Sequence, residues 1–227
     1  YLRTAGPEKY DQLAAHEIPW TDDSVKQALA ILGELIGVEE NVALGLSGAT
    51  EVSFLESVRL VFSENPQAAV VYEADFVAGV ILSDTTARPG ADFDFFPWPS
   101  IDGSPPAVVG GGDVAVVLRN SPGAMQLISY LATPGAAEIW AALGGFSSPN
   151  KAVDPSLYPD DITRASAVAL ANADVFRFDL SDLVPARLGS TAAAGIWGRL
   201  QDWLNDPDDI DGITARLEEE ARAAFRD

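Results

Sequence analysis

Apolar residues recur every three or four positions between residues 22 and 37. Val25, Leu29, Leu32 and Ile36 share one helical face, Asp22 and Asp23 suit a helix start, and Gly37 suits its end. The same period returns in Val52, Leu55, Val58 and Phe62, and Asn65-Pro66 stops it. Short apolar runs follow at Ala69–Tyr72, Phe93–Phe96 and Val114–Leu118, each short enough for a buried strand. From Pro122 onward the helical period dominates. It predicts helices over Ala124–Leu131, Ala136–Leu143, Ile162–Ala173, Thr191–Leu204 and Ile210–Phe225. The last carries Ile210, Ile213, Leu217, Ala221 and Phe225 on one side, with Glu218 and Arg222 as an i,i+4 pair expected outside. Helix, strand and helix in this order predict an α/β layered fold with helices at its C-terminal end. The stretches FSSPNKAVDPSLYPDD and FDLSDLVPARLGS read as packed loops, because their prolines and acids are mixed with Phe, Leu and Tyr.

At 227 residues the chain can form one large domain or two modest ones. A chain this long buries about 70% of its unfolded surface, so it needs no covalent staple. It has no cysteine, which excludes a disulfide, a thiolate metal site and a cysteine nucleophile. With 34 acidic and 14 basic residues its net charge is −20, which repels nucleic acid and anionic lipid. No apolar run reaches the length of a membrane-spanning helix. The chain opens on YLRTAGPEKYDQL with no initiator Met, so an N-terminal segment carrying an export signal is expected to precede it.

Few motifs carry catalytic chemistry. His16 is the single histidine, so no site with two histidine ligands exists, and GLSGA (residues 45–49) misses the nucleophile-elbow pattern at its last position. The phosphate-loop and dinucleotide fingerprints are absent, as is a D-x-D-x-D-G metal loop, so no cofactor or metal is expected. The aromatic residues say more. Tyr72, Phe76, Phe146 and Trp197 stand beside glycines, acids or loops. A flat ring packs on the C–H face of a sugar while carboxylates take its hydroxyls. Trp197 lies at the edge of the stripe Ile196, Leu200, Trp203 and Leu204, where a core role and a ligand role are equally compatible. Gly110 to Asp113 either bring backbone amides to a ligand, with Asp113 accepting two hydroxyls, or turn tightly into the next strand. Asp179 and Asp182 suit a turn or helix cap.

Seven segments in order resemble one family. They are EIPWTDDSV, LVFSENPQAAVVYEADF, FDFFPWPSIDG, VVGGGDVAVV, ISYLATPGAAEIWAALGGFSSPNKAV, FRFDLSDLVPARLGS and IWGRLQDWL. Their order and spacing resemble the C-terminal portion of the extracellular solute-binding proteins of carbohydrate ABC transporters. That family includes maltose-binding protein, and the nearest resemblance is to its α-glucoside-binding branch. The resemblance implies a periplasmic-binding-protein-like (type II) fold of two lobes, with the first lobe largely missing here. Residues 1–110 and 159–227 would belong to the second lobe, and 111–158 would cross back to the first. It implies a sugar or oligosaccharide ligand, membrane permease subunits as partners, a monomer, and an extracellular or periplasmic location with a lipoprotein anchor in the preceding segment. By position it implies ligand roles for Phe76 and the adjacent Glu73, for Gly111, Gly112 and Asp113 at the crossover, for Asp182 and Arg187, and for Trp197 at the start of a late helix.

Two other functions are compatible with the composition. A glycoside hydrolase would use a pair of carboxylates, though none stands out among 34. An acidic interaction domain would bury Phe76 and Trp197 in its core.

Overall fold

Asp22 begins the longest early helix by accepting the Ser24 amide (2.9 Å), and Gly37 ends it. Such local signals set most of the architecture. The structure is a computed structural model of the chain, and it describes residues 1–190 and 194–226. In chain order the elements are α1 (Leu2–Ala14), α2 (Asp23–Ile36), α3 (Gly45–Ala49), α4 (Phe54–Phe62), α5 (Val77–Asp84), β1 (Val108–Gly110), α6 (Pro122–Leu131) and α7 (Pro134–Ala141). There follow α8 (Asp161–Ala171), β2 (Phe176–Phe178), α9 (Leu180–Leu183), α10 (Ala186–Gly189), α11 (Gly195–Asn205) and α12 (Ile210–Ala224). The fold is mostly helical, and every helix predicted from the apolar period is present. The predicted Thr191–Leu204 helix is described from Gly195, and residues 191–193 lie outside the described residues.

The strands differ from expectation. Ala69–Tyr72 forms no strand, and Phe93–Phe96 contributes one isolated bridge, from Phe93 to Pro89. The third run, Val114–Leu118, forms no strand; the strand lies ahead of the glycines, at Val108–Gly110, parallel to Phe176–Phe178. An extended segment becomes a strand only where a neighbour takes its backbone hydrogen bonds. Apolar runs reveal the wish for burial but not whether that neighbour is present. FDLSDLVPARLGS, expected as loop, contains the two short helices α9 and α10.

By internal contacts the chain divides into two units. The first comprises residues 1–53, 99–111 and 175–227, and the second 54–98 and 112–174. The first unit has one continuous core. Leu13, Trp20, Val25, Leu29, Val184, Leu188, Trp203, Ile213, Leu217 and Ala221 are all buried in it. Trp203 is fully buried, donates its indole N–H to Pro207 O at 3.0 Å, and lies against α2 where Gly33 leaves room for the ring. α12 presents its predicted apolar face to this core. Glu218, expected outside, is instead buried. Its carboxylate accepts the Trp20 amide (2.8 Å), His16 Nε2 (3.1 Å) and Arg222 Nε (2.6 Å). Burial alone would raise its pKa, but the Trp20, His16 and Arg222 donors outweigh that and hold it below the usual carboxylate range. The single histidine thus ties the α1–α2 turn to α12, and its ring lies 4.9 Å from that of Phe225.

The second unit has two smaller cores. Val58, Val77 and Ile81 close α4 on α5, with Phe62 and Phe93 at the edge. Ala141, Val153, Tyr158 and Ala167 join α7 to α8, with Phe146 against them. The loop before α8 is packed, as its composition predicts: Tyr158 is buried, and its hydroxyl oxygen accepts the Ser148 amide at 3.0 Å. Much apolar surface stays outside. α6 buries none of its residues, and Val114, Val116 and Leu118 are 82%, 69% and 93% exposed.

Candidate functional site

The sequence-predicted residues fall into both units. In the first, β1 and β2 lie side by side, and the Asp179 amide donates to Gly110 O at 3.0 Å, which carries the chain straight from β2 into α9. Asp179 caps that helix through the Ser181 amide at 2.8 Å, the cap reading of the Asp179 and Asp182 spacing. Asp182 then sits next to Gly111: a Cβ at Gly111 would lie 3.7 Å from Asp182 Oδ2. Both are exposed, as is Arg187 on α10. Gly195 begins α11 at φ +59°, and a Cβ there would stand 2.0 Å from Leu188 O, so only glycine lets α11 start so close to α10. Trp197, two residues on, is 63% exposed, while Trp203 takes the core. The period along α11 left open whether Trp197 joins the core; the packing leaves it outside. Under these residues Tyr10 donates its hydroxyl to Phe178 O at 2.8 Å, and Asp11 accepts Arg177 through two bonds of 2.6 and 2.8 Å. Burial first, then the Asp179 charge, raises the Tyr10 pKa well above its ordinary value, so the hydroxyl stays a donor.

Gly110 needs no ligand to explain it. A Cβ there would lie 2.6 Å from the Phe176 ring, so glycine allows the β1–β2 approach. A Cβ on Gly112 would meet nothing within 4 Å, and Gly112 and Asp113 are both exposed.

In the second unit Glu73 and Phe76 precede α5. Phe76 is 46% exposed and its ring lies 5.5 Å from that of Phe54, tilted by 45°. Surrounding protein raises the Glu73 pKa, and a hydrogen bond from the Ala74 amide offsets part of that. Tyr72 meets Trp98 edge-on at 5.1 Å. Residues 75 and 147 were missed by sequence reasoning, although the structure joins them: the Ser147 hydroxyl donates to Asp75 Oδ2. Their separation of 72 positions leaves no spacing signal. Beside this bond Gly79 and Gly145 are back to back, a Cβ on Gly79 falling 3.2 Å from Gly145 Cα. Trp140 was also missed, because the apolar period of α7 reads it as one more core position.

A concavity of about 640 Å³ beside α12, lined by Thr21, Glu218, Glu219, Arg222 and Arg226, includes none of the predicted residues. Within it Arg222 pairs with Glu218. Among the described residues no group of three or more acidic or histidine side chains could hold a metal ion.

Exposed aromatic rings beside carboxylates suit the binding of a sugar. Comparison with known proteins agrees. The chain is 35% identical over 210 residues to the osmoprotective compounds-binding protein GgtB of Synechocystis, covering 91% of this chain and 48% of GgtB. It is 31% identical over 215 residues to the alpha-glucosides-binding periplasmic protein AglE of Rhizobium meliloti, covering 92% of this chain and 45% of AglE. This chain is homologous to solute-binding proteins. Both relatives are named as binding proteins rather than enzymes, which bears out the resemblance, and AglE is named for alpha-glucosides. The chain spans about half the length of these curated relatives. No family model matches it, and no solved structure does. Among the described residues no helix is long and apolar enough to cross a membrane.

Proposed function

We propose that this chain is part of the substrate-binding component of an ABC importer, which captures a sugar or oligosaccharide of the α-glucoside class and delivers it to permease subunits in the membrane. The observation that carries this reading is homology over nine-tenths of the chain to two solute-binding proteins, one of them named for alpha-glucosides. In the whole protein two lobes of the type II arrangement close on the ligand. Residues 1–110 and 159–227 belong to one lobe and 111–158 to the other; these lobes are distinct from the two contact units. The exposed Val114, Val116 and Leu118 and the wholly unburied α6 support the second half of that assignment, since they offer a face for further protein to cover. Trp197 and Phe76 stack on sugar rings. Glu73, Asp113 and Asp182 accept hydroxyls, Arg187 donates, and Gly111 and Gly112 leave the crossover backbone open. The protein works as a monomer on the periplasmic or extracellular side, held to the membrane by a lipid anchor.

Calorimetric titration of the intact native gene product against maltose, trehalose, sucrose and longer glucans tests this. One-to-one saturable binding without hydrolysis is expected. Phe76→Ala and Trp197→Ala should each weaken it about tenfold, the scale of one aromatic contact of about 1.4 kcal/mol. Absence of binding across the panel would sink the α-glucoside reading. Unchanged affinity in both variants would remove the two rings from the site.

A further inference from the structure

Trp140 has no part in the roles assigned above, yet the fold builds a support for it. It lies in the last turn of α7. Gly144 and Gly145 follow, both at positive φ (+78° and +66°), a conformation that side chains rarely take. This reversal brings Phe146 back beneath the indole. The two rings stack at 4.5 Å with 12° between their planes. Phe146 is anchored in the cluster of Ala141, Val153, Tyr158 and Ala167, whereas Trp140 remains 56% exposed. One indole face is therefore held by Phe146, and more than half of the residue is exposed.

The same loop is fastened to the start of α5. Gly145 meets Gly79, and Ser147 donates to Asp75 Oδ2. Phe76 is next to Asp75 and shares a helical face with Gly79, three residues on. Phe76 stands beside Asp75 on one side of this polar seam, and on the other Trp140 is stacked on Phe146, the residue before Ser147. Asp75 spends Oδ2 on Ser147 and has Oδ1 for a further donor. One flat ring serves one sugar ring, and a carboxylate between two flat rings serves the hydroxyls where two sugar rings join.

We propose that Trp140 is a second stacking surface in the second unit, that Asp75 and Ser147 bind hydroxyls between it and Phe76, and that the ligand has at least two sugar rings. This deepens the carbohydrate-binding reading and rests on it.

The test titrates the intact native protein, Trp140→Ala and Trp140→Phe with glucose, maltose and maltotriose, with thermal melting as a folding control. Trp140→Ala should lose tenfold or more in affinity for maltose and maltotriose and less than twofold for glucose, while Trp140→Phe stays within threefold of native. If native protein binds none of the three, nor trehalose, sucrose or longer glucans, the α-glucoside reading fails and this inference with it. If native protein binds and Trp140→Ala binds all three unchanged, this inference alone fails. An equal loss for glucose and maltose would also overturn it, because it would place Trp140 at the first ring or in the fold.

Discussion

The two units solve burial differently. The first gathers α1, α2, α11 and α12 round one core with Trp203, Leu13 and Ile213 fully buried. The second splits its apolar residues between two small clusters and leaves Leu118, Val114 and Leu143 about four-fifths exposed or more. The first unit buries most of its helical apolar faces in that one core. The second carries apolar residues in excess of what it covers. A helix with no buried residue, such as α6, has little tertiary packing to hold it, and helices draw most of their stability from that packing. Exposed flat residues suit a surface that meets ligand or further protein.

The largest test of this contrast is Trp203→Ala. Removing a fully buried ring that also donates to Pro207 should cost about 3–5 kcal/mol in chemical denaturation. A cost below about 1 kcal/mol would mean that the first unit has no tighter core than the second.

A smaller effect comes from Asp22. The Ser24 hydroxyl and amide, then Lys9, hold its pKa at about 2. A carboxylate lowered in the folded state contributes stability that is fully present above its unfolded pKa of about 4. That stability is lost as pH falls through the folded value. Glu218, also lowered, acts in the same direction. The first unit should therefore lose stability between pH 4 and 2, and Asp22→Ala should cost about 1 kcal/mol at neutral pH and flatten that acid limb. An acid limb that Asp22→Ala leaves unaltered would show that the cap is not what titrates.

The smallest effect is expected in the second unit. Leu118→Ser in this chain should change stability by less than about 0.5 kcal/mol, because the side chain is 93% exposed. A loss of more than about 2 kcal/mol would show that the residue is covered in solution and would erase the contrast at this position.

Much of the helical framework was legible beforehand. Val25 to Ile36 and Ile210 to Phe225 announce their helices because a helix is a local structure whose period is printed in the chain, and Asp22 marks the start of the first. The family resemblance was legible for another reason, since it rests on the order of segments. The strands were not, because Val114–Leu118 has the composition of a strand and lacks a neighbour to pair with. The candidate site was half legible. Phe76 and Trp197 announce themselves as aromatics at turns and stripe edges, and both proved exposed. Asp182 beside Gly111, Ser147 bonded to Asp75, and Trp140 laid on Phe146 did not announce themselves.

By itself, then, the sequence determined the helices, their caps, the acidic surface and the kinship with solute-binding proteins, all of them properties of neighbouring residues or of their order. Tertiary structure alone decided that Glu218 is buried beneath three donors, that Trp197 faces outward while Trp203 does not, and that Asp75 meets Ser147. Those are contacts between residues far apart in the chain, and only the packing of one element on another brings them within reach.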